Sequence, residues 1–291
     1  MRTRRSRAVL RCGYTVVCAM VGLLVHIAVA HCSVAAIDAT GVRVTLARPA
    51  MRVIALAPHL TEMVYEVGGG ARLIAVSDFS DFPSKARSLP RVGDAFSANR
   101  ESLLALKPDL VLVWQSGGGN AVAKALRQLN VAVYVSEPTL LDDVAKEMQA
   151  IAQLLGLTSG GADAATHYRA TLRHALVQAP RRPAPRVFLQ VGAPTLYTVT
   201  DGQFLGQALR YCGGVNVFGA LAGKAPIVGL EAVIVAQPQR ILQLDDENPR
   251  DAVPWQRFGL PQPARLPSAL LGRPGPRFAD GVVQLCRAVR G

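Results

Sequence analysis

The chain has 291 residues, half of them apolar, and its 32 basic and 20 acidic residues give it a formal net charge of +12. This length and apolar content suffice for the cores of two compact lobes and exclude a wholly disordered chain. The basic residues are scattered, and no Lys/Arg-rich run is interleaved with aromatic residues. The composition therefore argues against DNA or RNA binding.

The first 36 residues have the organisation of a signal peptide. Five arginines precede residue 12, an apolar run covers residues 15–30, and a small-residue segment follows at 33–36. We predict an exported, periplasmic protein; a retained membrane anchor is the alternative, because the apolar run is long for a signal peptide. Cleavage would remove five of the 32 basic residues and none of the 20 acidic ones, which lowers the net charge from +12 to +7.

The next part of the chain alternates short apolar runs with helical patterns. Strands are predicted at 52–57, 73–77, 110–114 and 131–135, and helices at 61–67 and 121–129. Such alternation is typical of a parallel sheet covered by helices. We therefore assign residues 52–158 to an N-terminal α/β lobe.

One sequence pattern occurs twice. Glu101 opens an apolar helical run that stops at Pro108, and Glu231 opens a similar run that stops at Pro238. Proline ends both helices because it lacks an N–H and its ring clashes with the preceding turn, and an aliphatic strand follows in each case. For a single helix, the favourable interaction of an acidic residue with the helix dipole is enough to explain a glutamate in the first turn. The equal spacing of both copies indicates two related lobes.

A helical region lies between the two copies. Helical patterns at 140–155 and 162–177 are separated by a predicted break at 156–161. We predict a connecting helix at 159–180 and a C-terminal α/β lobe at 185–291. The elements expected in that lobe are strands at 187–191 and 240–242, a helix at 204–211 and a final helix that carries Cys286. A single helical connector predicts only small movements between the lobes.

Cys212 and Cys286 are the two cysteines that remain after removal of the signal peptide. An even pair in an oxidising compartment predicts a disulfide. Neither cysteine has another Cys or a His at ligand spacing, which disfavours a metal site or a thiol nucleophile.

Several short segments are recognisable together. They are RVIALAP at 52–58 followed by Thr61 and Glu62, SDFSDFP at 77–83, ALKPDLV at 105–111, FLQVG at 188–192, and CGGVNVF at 212–218. In their order and spacing the chain resembles the periplasmic cobalamin-binding proteins of ABC importers, within the wider group that binds iron-siderophores and haem. The resemblance covers residues 52–289.

The resemblance implies an α/β fold of two lobes, each with a mostly parallel sheet, joined by one long helix and with the ligand in the cleft between them. It implies a non-enzymatic receptor, which we expect to be a monomer, that passes cobalamin or a related corrinoid to a permease and ATPase complex. Glu101 and Glu231 would dock onto arginines of that permease. Equivalent acids on two related lobes match a two-fold permease.

A corrinoid is a flat macrocycle with amide arms, so its pocket needs aromatic or apolar walls and a few polar groups. The residues that align with ligand-contacting family positions, or lie beside them, are Phe79, Phe96, Trp114, Tyr197 and Arg273. Where family members have further tryptophans, the chain has Ala95, Ala225 and Leu270, and Ala269 replaces an acidic neighbour. This loss of ring area leaves open a roomier pocket, another corrinoid such as cobinamide, or a lower affinity.

Alternatives remain for two local features and for the function. The glycines at 117–119 either approach a ligand phosphate or form a tight turn. His59 either begins a helix or ligates a metal centre in the ligand. Haem or ferric-siderophore capture is the alternative within transport, and a tetrapyrrole- or metal-processing enzyme is the alternative outside it. The sequence contains no recognisable catalytic triad or zinc constellation, so we assign no catalytic residue and no resident metal.

Overall fold

The structure is a computed structural model that describes residues 33–94, 98, 100–177, 183–244 and 253–291. Phe96 and most of the predicted signal peptide lie outside these residues. In the described ranges, no helix combines the length and the apolar character that crossing a membrane requires.

The described chain begins with an antiparallel hairpin of strands β1 (Val34–Ile37) and β2 (Arg43–Leu46). Its turn is held by the Asp38 carboxylate, which accepts hydrogen bonds from the backbone N–H groups of Thr40 and Val42. Arg127 also pairs with this carboxylate. The expected signal segment therefore overlaps a strand of the folded body by three residues.

The N-terminal lobe contains a four-stranded sheet in which all neighbouring strands are parallel. In sheet order its strands are β4, β3, β5 and β6. Their bounds are β3 (Val53–Ala55), β4 (Leu73–Val76), β5 (Leu110–Trp114) and β6 (Val133–Ser136). Its helices are α1 (Pro58–Glu66), α2 (Arg100–Ala105) and α3 (Asn120–Gln128). The strands are buried almost throughout, as their uninterrupted apolar runs predict.

The C-terminal lobe repeats this plan with the sheet order β8, β7, β9, β10, again parallel. Its strands are β7 (Arg186–Gln190), β8 (Val215–Asn216), β9 (Arg240–Leu244) and β10 (Ala264–Leu266). Its helices are α6 (Phe204–Tyr211), α7 (Leu230–Ala236), α8 (Ser268–Leu271) and α9 (Phe278–Arg290). In each lobe the second strand in chain order lies at one edge of the sheet, next to the first strand. The third and fourth strands lie on the other side of the first. The predicted α/β fold class is confirmed.

Two helices lie between the sheets in sequence: α4 (Asp143–Leu154) and α5 (Thr158–Val177). The predicted break at 156–161 is too long, because α5 already begins at Thr158. Gly160 and Gly161 are helical, and they allow close packing. A Cβ on Gly160 would lie 2.5 Å from the carbonyl oxygen of Val67, and one on Gly161 would lie 2.4 Å from the Cβ of Ala152.

The largest hydrophobic cluster is continuous through both lobes. It includes Leu112 from the first sheet, Tyr168 and Leu172 from α5, and Leu189 and Leu285 from the C-terminal lobe. Helix α5 packs on α4 on one side and on α9 on the other. A smaller cluster covers the other face of each sheet, around Leu126 in the first lobe and around Trp255 in the second. The helical connector is therefore part of the core.

The repeated glutamate pattern occupies equivalent positions in the two lobes. Helix α2 precedes β5 and helix α7 precedes β9, and each of these strands is the third of its sheet. The residue before each proline is left-handed, with φ of 48° at Lys107 and 42° at Gln237. A residue before proline is disfavoured in the helical region, which ends the helix at this point.

An arginine at the start of each sheet binds the end of the glutamate helix that follows later in the same lobe. Nη2 of Arg52 donates to the carbonyl oxygen of Leu106 at 2.7 Å, and Nη2 of Arg186 donates to that of Ala236 at the same distance. A side-chain donor at this position satisfies a carbonyl that has no partner within the helix. The internal repeat therefore extends to the contacts that fix the two helices.

Cys212 and Cys286 are joined by a disulfide, as the sequence predicts. Both cysteines are fully buried, Cys212 at the end of α6 and Cys286 within α9. The bond closes a loop across a sequence separation of 74 residues. It ties the final helix, which packs on α5, to the end of helix α6.

Replacing both cysteines by alanine is expected to lower the free energy of unfolding by about 4 kcal/mol, because the unfolded chain regains the entropy of a long open loop. Urea denaturation of the oxidised protein and the double variant measures this difference. Unfolding the wild type in the presence of a reductant provides the control and should give a similar loss. Equal stability of oxidised wild type and variant would contradict the prediction.

Candidate ligand cleft

The carboxyl ends of the parallel strands of both lobes meet at a cleft. From the N-terminal lobe it is lined by Trp114, Ser116, Glu137, Pro138 and Thr139, and from the C-terminal lobe by Gly202, Gln203, Phe204, Lys224 and Pro274. The cavity in this cleft has a volume of about 190 Å³ and is partly open to solvent. Ligand pockets in α/β proteins form at this edge of the sheet because the loops that follow parallel strands converge there.

Trp114 ends β5 and forms one wall of this cleft. The glycines that follow it allow the chain to turn closely around the indole. A Cβ on Gly117 would lie 2.6 Å from Cε3 of Trp114, and one on Gly119 would lie 2.5 Å from the carbonyl oxygen of Trp114. Gly118 has a φ of 84°, which favours glycine. Close packing on Trp114 thus accounts for the glycine run without a phosphate.

Phe79 and Tyr197 lie on loops that follow parallel strands, one in each lobe. Phe79 follows β4, and its side chain is 80% exposed. Its φ of 59° is unusual for a bulky residue and keeps the ring out of the core. Tyr197 follows β7, is also exposed, and pairs with Ile227 and Gly192 through isolated bridges. Both residues are exposed, unlike Trp255, which is buried, but neither is among the residues that line the cavity.

Arg273 lies beside Pro274 and reaches across to the N-terminal lobe. Its Nη1 donates to Oδ1 of Asp81 at 3.0 Å and lies 3.6 Å from Oε1 of Glu62. Arg277, at the start of α9, holds the same Glu62 carboxylate with two hydrogen bonds of 2.6 and 2.9 Å. This bond to Glu62 raises the pKa of Arg277. The four residues form an ion cluster between the lobes, in which the Glu62 side chain is only 3% exposed.

A second interlobe ion pair lies in the cleft wall. Nζ of Lys224 donates to Oε1 of Glu137 at 2.5 Å and to Oγ of Ser116 at 2.8 Å. Partial burial raises the pKa of Glu137, but the hydrogen bonds from Lys224 and Ser116 outweigh it and hold this pKa below its usual value. The backbone N–H of Glu137 donates to the buried Glu147, and burial raises the pKa of Glu147 to about 7.

His59 lies next to the cleft wall. It is the second residue of α1, directly after β3, and its ring meets that of Trp114 edge to face at a centroid distance of 5.2 Å. The side chain is almost fully buried, and within the described part of the chain its Nε2 has no hydrogen-bond partner. Burial lowers the pKa of this imidazole to about 3.

The two repeated glutamates are exposed at the first turns of their helices, Glu101 in α2 and Glu231 in α7. They are not among the residues that line the cleft. The described ranges contain no cluster of three or more His, Cys, Asp or Glu residues that would hold a metal ion. Phe96, the remaining expected ligand residue, lies outside the described residues.

Comparison with known proteins shows the family to which this architecture belongs. Residues 53–252 match the model of the periplasmic binding protein family. The chain belongs to this family. It is 34% identical to a vitamin B12-binding protein of Vibrio cholerae serotype O1, over 82% of this chain and 88% of that protein.

Solved structures of other binding proteins have the same fold. The periplasmic vitamin B12 binding protein BtuF of Vibrio cholerae has a TM-score of 0.77 and 33% identity, with 83% of this chain and 97% of that chain covered. A periplasmic haem-binding protein from Pseudomonas aeruginosa has a TM-score of 0.69 and 25% identity, with 82% and 92% covered. This binding protein therefore has relatives in both groups that its sequence resembles.

Sequence reasoning missed the interlobe contacts of this binding protein. Glu137, Lys224 and Arg277 carry no motif, and their partners are distant in sequence. Glu62 lies in a segment that supports the family resemblance, but the residues next to it in the sequence do not indicate that it pairs with Arg277. The one available signal was an acid on an otherwise apolar helix face, since a buried carboxylate requires a paired charge.

Replacing Glu62 by alanine is expected to destabilise this binding protein by about 2–3 kcal/mol, because Arg277 loses the partner of its partly buried charge. The matched control is Asp142→Ala, which removes an ion pair with Arg169 whose carboxylate side is 47% exposed. The control substitution should lower the free energy of unfolding by less than about 1 kcal/mol. Denaturant unfolding measures both variants, and equal losses would refute the distinction.

Proposed function

We propose that this chain is an exported receptor that captures cobalamin or a related corrinoid and delivers it to the permease of an ABC importer. The proposal depends on the cleft between two lobes of the same topology, with Trp114 in its wall. The exposed residues Phe79 and Tyr197 follow strands of the two sheets at the edge where the cleft forms. A flat macrocycle needs such apolar surfaces with a few polar groups. The names of the relatives support the choice of a corrinoid.

The cleft must widen to take this ligand. Its cavity of about 190 Å³ is below the range of about 300–1,000 Å³ that is typical of small-molecule sites, and a corrinoid is larger than most such ligands. The pair of Lys224 and Glu137 spans the cavity and has to break when the lobes separate. The Lys224 side chain is 64% exposed and already meets water, whereas that of Glu137 is 11% exposed and gains contact with water as the lobes separate. The freed charges then face the amide arms of the ligand.

Haem capture is the second candidate, favoured by the similarity to a haem-binding protein and by an imidazole beside Trp114. Arg273 is paired with acids in this structure and is not a free partner for haem carboxylates. An enzyme would require groups that exchange protons with a substrate. His59 and Glu137 adjoin or line the cleft with lowered pKa values, whereas Glu147, whose pKa burial raises to about 7, is not among the residues that line the cavity.

Titration of the exported protein with cyanocobalamin, cobinamide and haemin in a calorimeter tests the ligand. We expect one corrinoid to bind per chain with micromolar or tighter affinity. Trp114→Ala should weaken binding by about 2 kcal/mol, or about 30-fold, because a central aromatic contact is lost, whereas Trp114→Phe keeps part of the ring area. If haemin binds and neither corrinoid does, the ligand of the proposed receptor is haem and not a corrinoid.

For delivery, we propose that Glu101 and Glu231 contact basic residues of the permease. They are exposed at equivalent first turns, and each glutamate helix is held at its other end by an equivalent arginine. Two matching acidic sites on related lobes suit a partner with two-fold symmetry.

The double variant Glu101→Ala/Glu231→Ala is expected to reduce uptake of labelled cobalamin at least tenfold in cells that lack the wild-type chain, while calorimetry shows unchanged ligand affinity. Each lost interfacial charge pair is worth about 1.5 kcal/mol or more. The control Glu66→Ala/Asp163→Ala removes two other exposed acids. Normal uptake with the first pair, or an equal loss with the control pair, would refute the docking assignment.

A further inference from the structure

The folded body begins with strand β1, inside the segment where the sequence pattern placed the end of the signal peptide. The four residues of β1 pair with residues 43–46 of β2 in antiparallel register. Within this hairpin Ala36 lies opposite Val44, and both residues are buried members of the largest hydrophobic cluster. Strand β1 also packs on helix α4. It is therefore part of the core of the protein.

The end of β1 is also fixed to the first sheet. The backbone N–H of Ala39 donates to the carbonyl oxygen of Val135 in β6 at 2.9 Å, and the backbone N–H of Val135 donates to Oδ2 of Asp38 at 3.3 Å. The Asp38 side chain is fully buried and is paired with Arg127. A buried charge depends on such partners, so the hairpin must keep its place against β6.

Cleavage after Ala36, the last residue of the segment predicted from the sequence, would damage this hairpin. The product would begin at Ile37 and would lack three of the four residues of β1. A signal peptidase acts on the extended chain during export, so the fold does not decide which bond is accessible. The fold decides which product is stable, because loss of β1 would expose Val44 and remove the ladder hydrogen bonds of β2. A cut upstream of Val34 avoids this loss.

The sequence offers an upstream site with the required pattern. A signal peptidase selects small residues at the first and third positions before the cut, and Ala28-Val29-Ala30 has this A-x-A pattern. His26 divides the apolar run, so its first part covers residues 15–25, within the usual length of about 7–15 residues. Three residues, 31–33, then separate the cut from β1.

We propose that a signal peptidase cleaves this chain between Ala30 and His31, so that the mature protein begins three residues before β1. This inference rests on the exported receptor of the proposed function. The amide bond is hydrolysed by one water molecule, which leaves a carboxylate on Ala30 and a free amino group on His31. The net charge of the mature chain stays at +7, because residues 31–36 contain no Asp, Glu, Lys or Arg.

This cleavage site changes the cysteine content of the mature protein. Cys32 remains, whereas Cys212 and Cys286 are joined to each other. The mature chain therefore keeps one thiol outside the disulfide, and a chain that begins at Ile37 would keep none. A lipid on Cys32 is disfavoured, because His31 is larger than the small residue that precedes a lipid-modified cysteine.

Intact mass spectrometry and N-terminal sequencing test the inference on protein exported to the periplasm of a Gram-negative host. We expect a chain of residues 31–291 with His31 as its first residue. Alkylation with iodoacetamide in denaturant without a reductant should add one group, on Cys32. A chain that begins at Ile37, or one that carries a lipid on Cys32, overturns the inference.

Two matched variants test the role of the small residues. Ala30→Phe places a large side chain directly before the bond, so most of the chain should keep the mass of the precursor. Val29→Phe makes a similar change at the middle position, where the A-x-A pattern sets no limit on size, and this variant should be processed like the wild type. Equal processing of both variants overturns the inference.

The stability of two purified chains tests the structural reason for the upstream cut. With the disulfide formed in both, the chain from Ile37 should unfold at a urea concentration about 1 M lower than the chain from His31, because it lacks most of β1. Equal urea midpoints would remove the reason for an upstream cut and overturn the inference.

The exported protein separates this inference from the proposed function. An exported chain that binds a corrinoid but begins at another residue overturns only the cleavage site. A chain that keeps residues 1–30 and stays in the cytoplasm overturns the exported receptor and its cleavage together.

Discussion

The continuous apolar core around α5 is the constraint on which the arrangement of the lobes depends. Side chains from the inner faces of both sheets belong to one apolar cluster with side chains of α1, α4, α5, α6 and α9. Separating the lobes at this core would expose apolar surface at about 25 cal/mol for each Å². Opening must therefore take place at the cleft edge, where the two lobes meet through polar and charged groups.

The two interlobe ion pairs differ in a way that fits such an opening. Glu62 is buried and held by Arg277 with two hydrogen bonds, so breaking this contact would leave a charge without a partner in a poorly solvated place. Lys224 is exposed, and its contact with Glu137 can be exchanged for water. The first pair resembles a permanent contact and the second a reversible one. At the cleft edge, the contact of Glu62 is therefore harder to break than that of Glu137.

The internal repeat connects the fold to the proposed docking surface. Equivalent helices carry Glu101 and Glu231, equivalent left-handed residues end those helices, and equivalent arginines bind their last carbonyl groups. None of these contacts reaches the cleft. The candidate ligand cleft and the proposed docking surface are therefore built from different parts of the same lobes, so side chains can change in the one while the other keeps its geometry.

The sequence by itself determined the alternation of strands and helices, the repeat, the Cys212–Cys286 pair and the family, because apolar periodicity, proline and short motifs act over a few residues. It misjudged the glycines of α5, since the same residue breaks one helix and permits close packing of another. Only the tertiary structure decided that Arg277 pairs with Glu62, 215 residues away, and that Lys224 pairs with Glu137. Contacts of this kind depend on how distant segments converge, and no local pattern of side chains records that convergence.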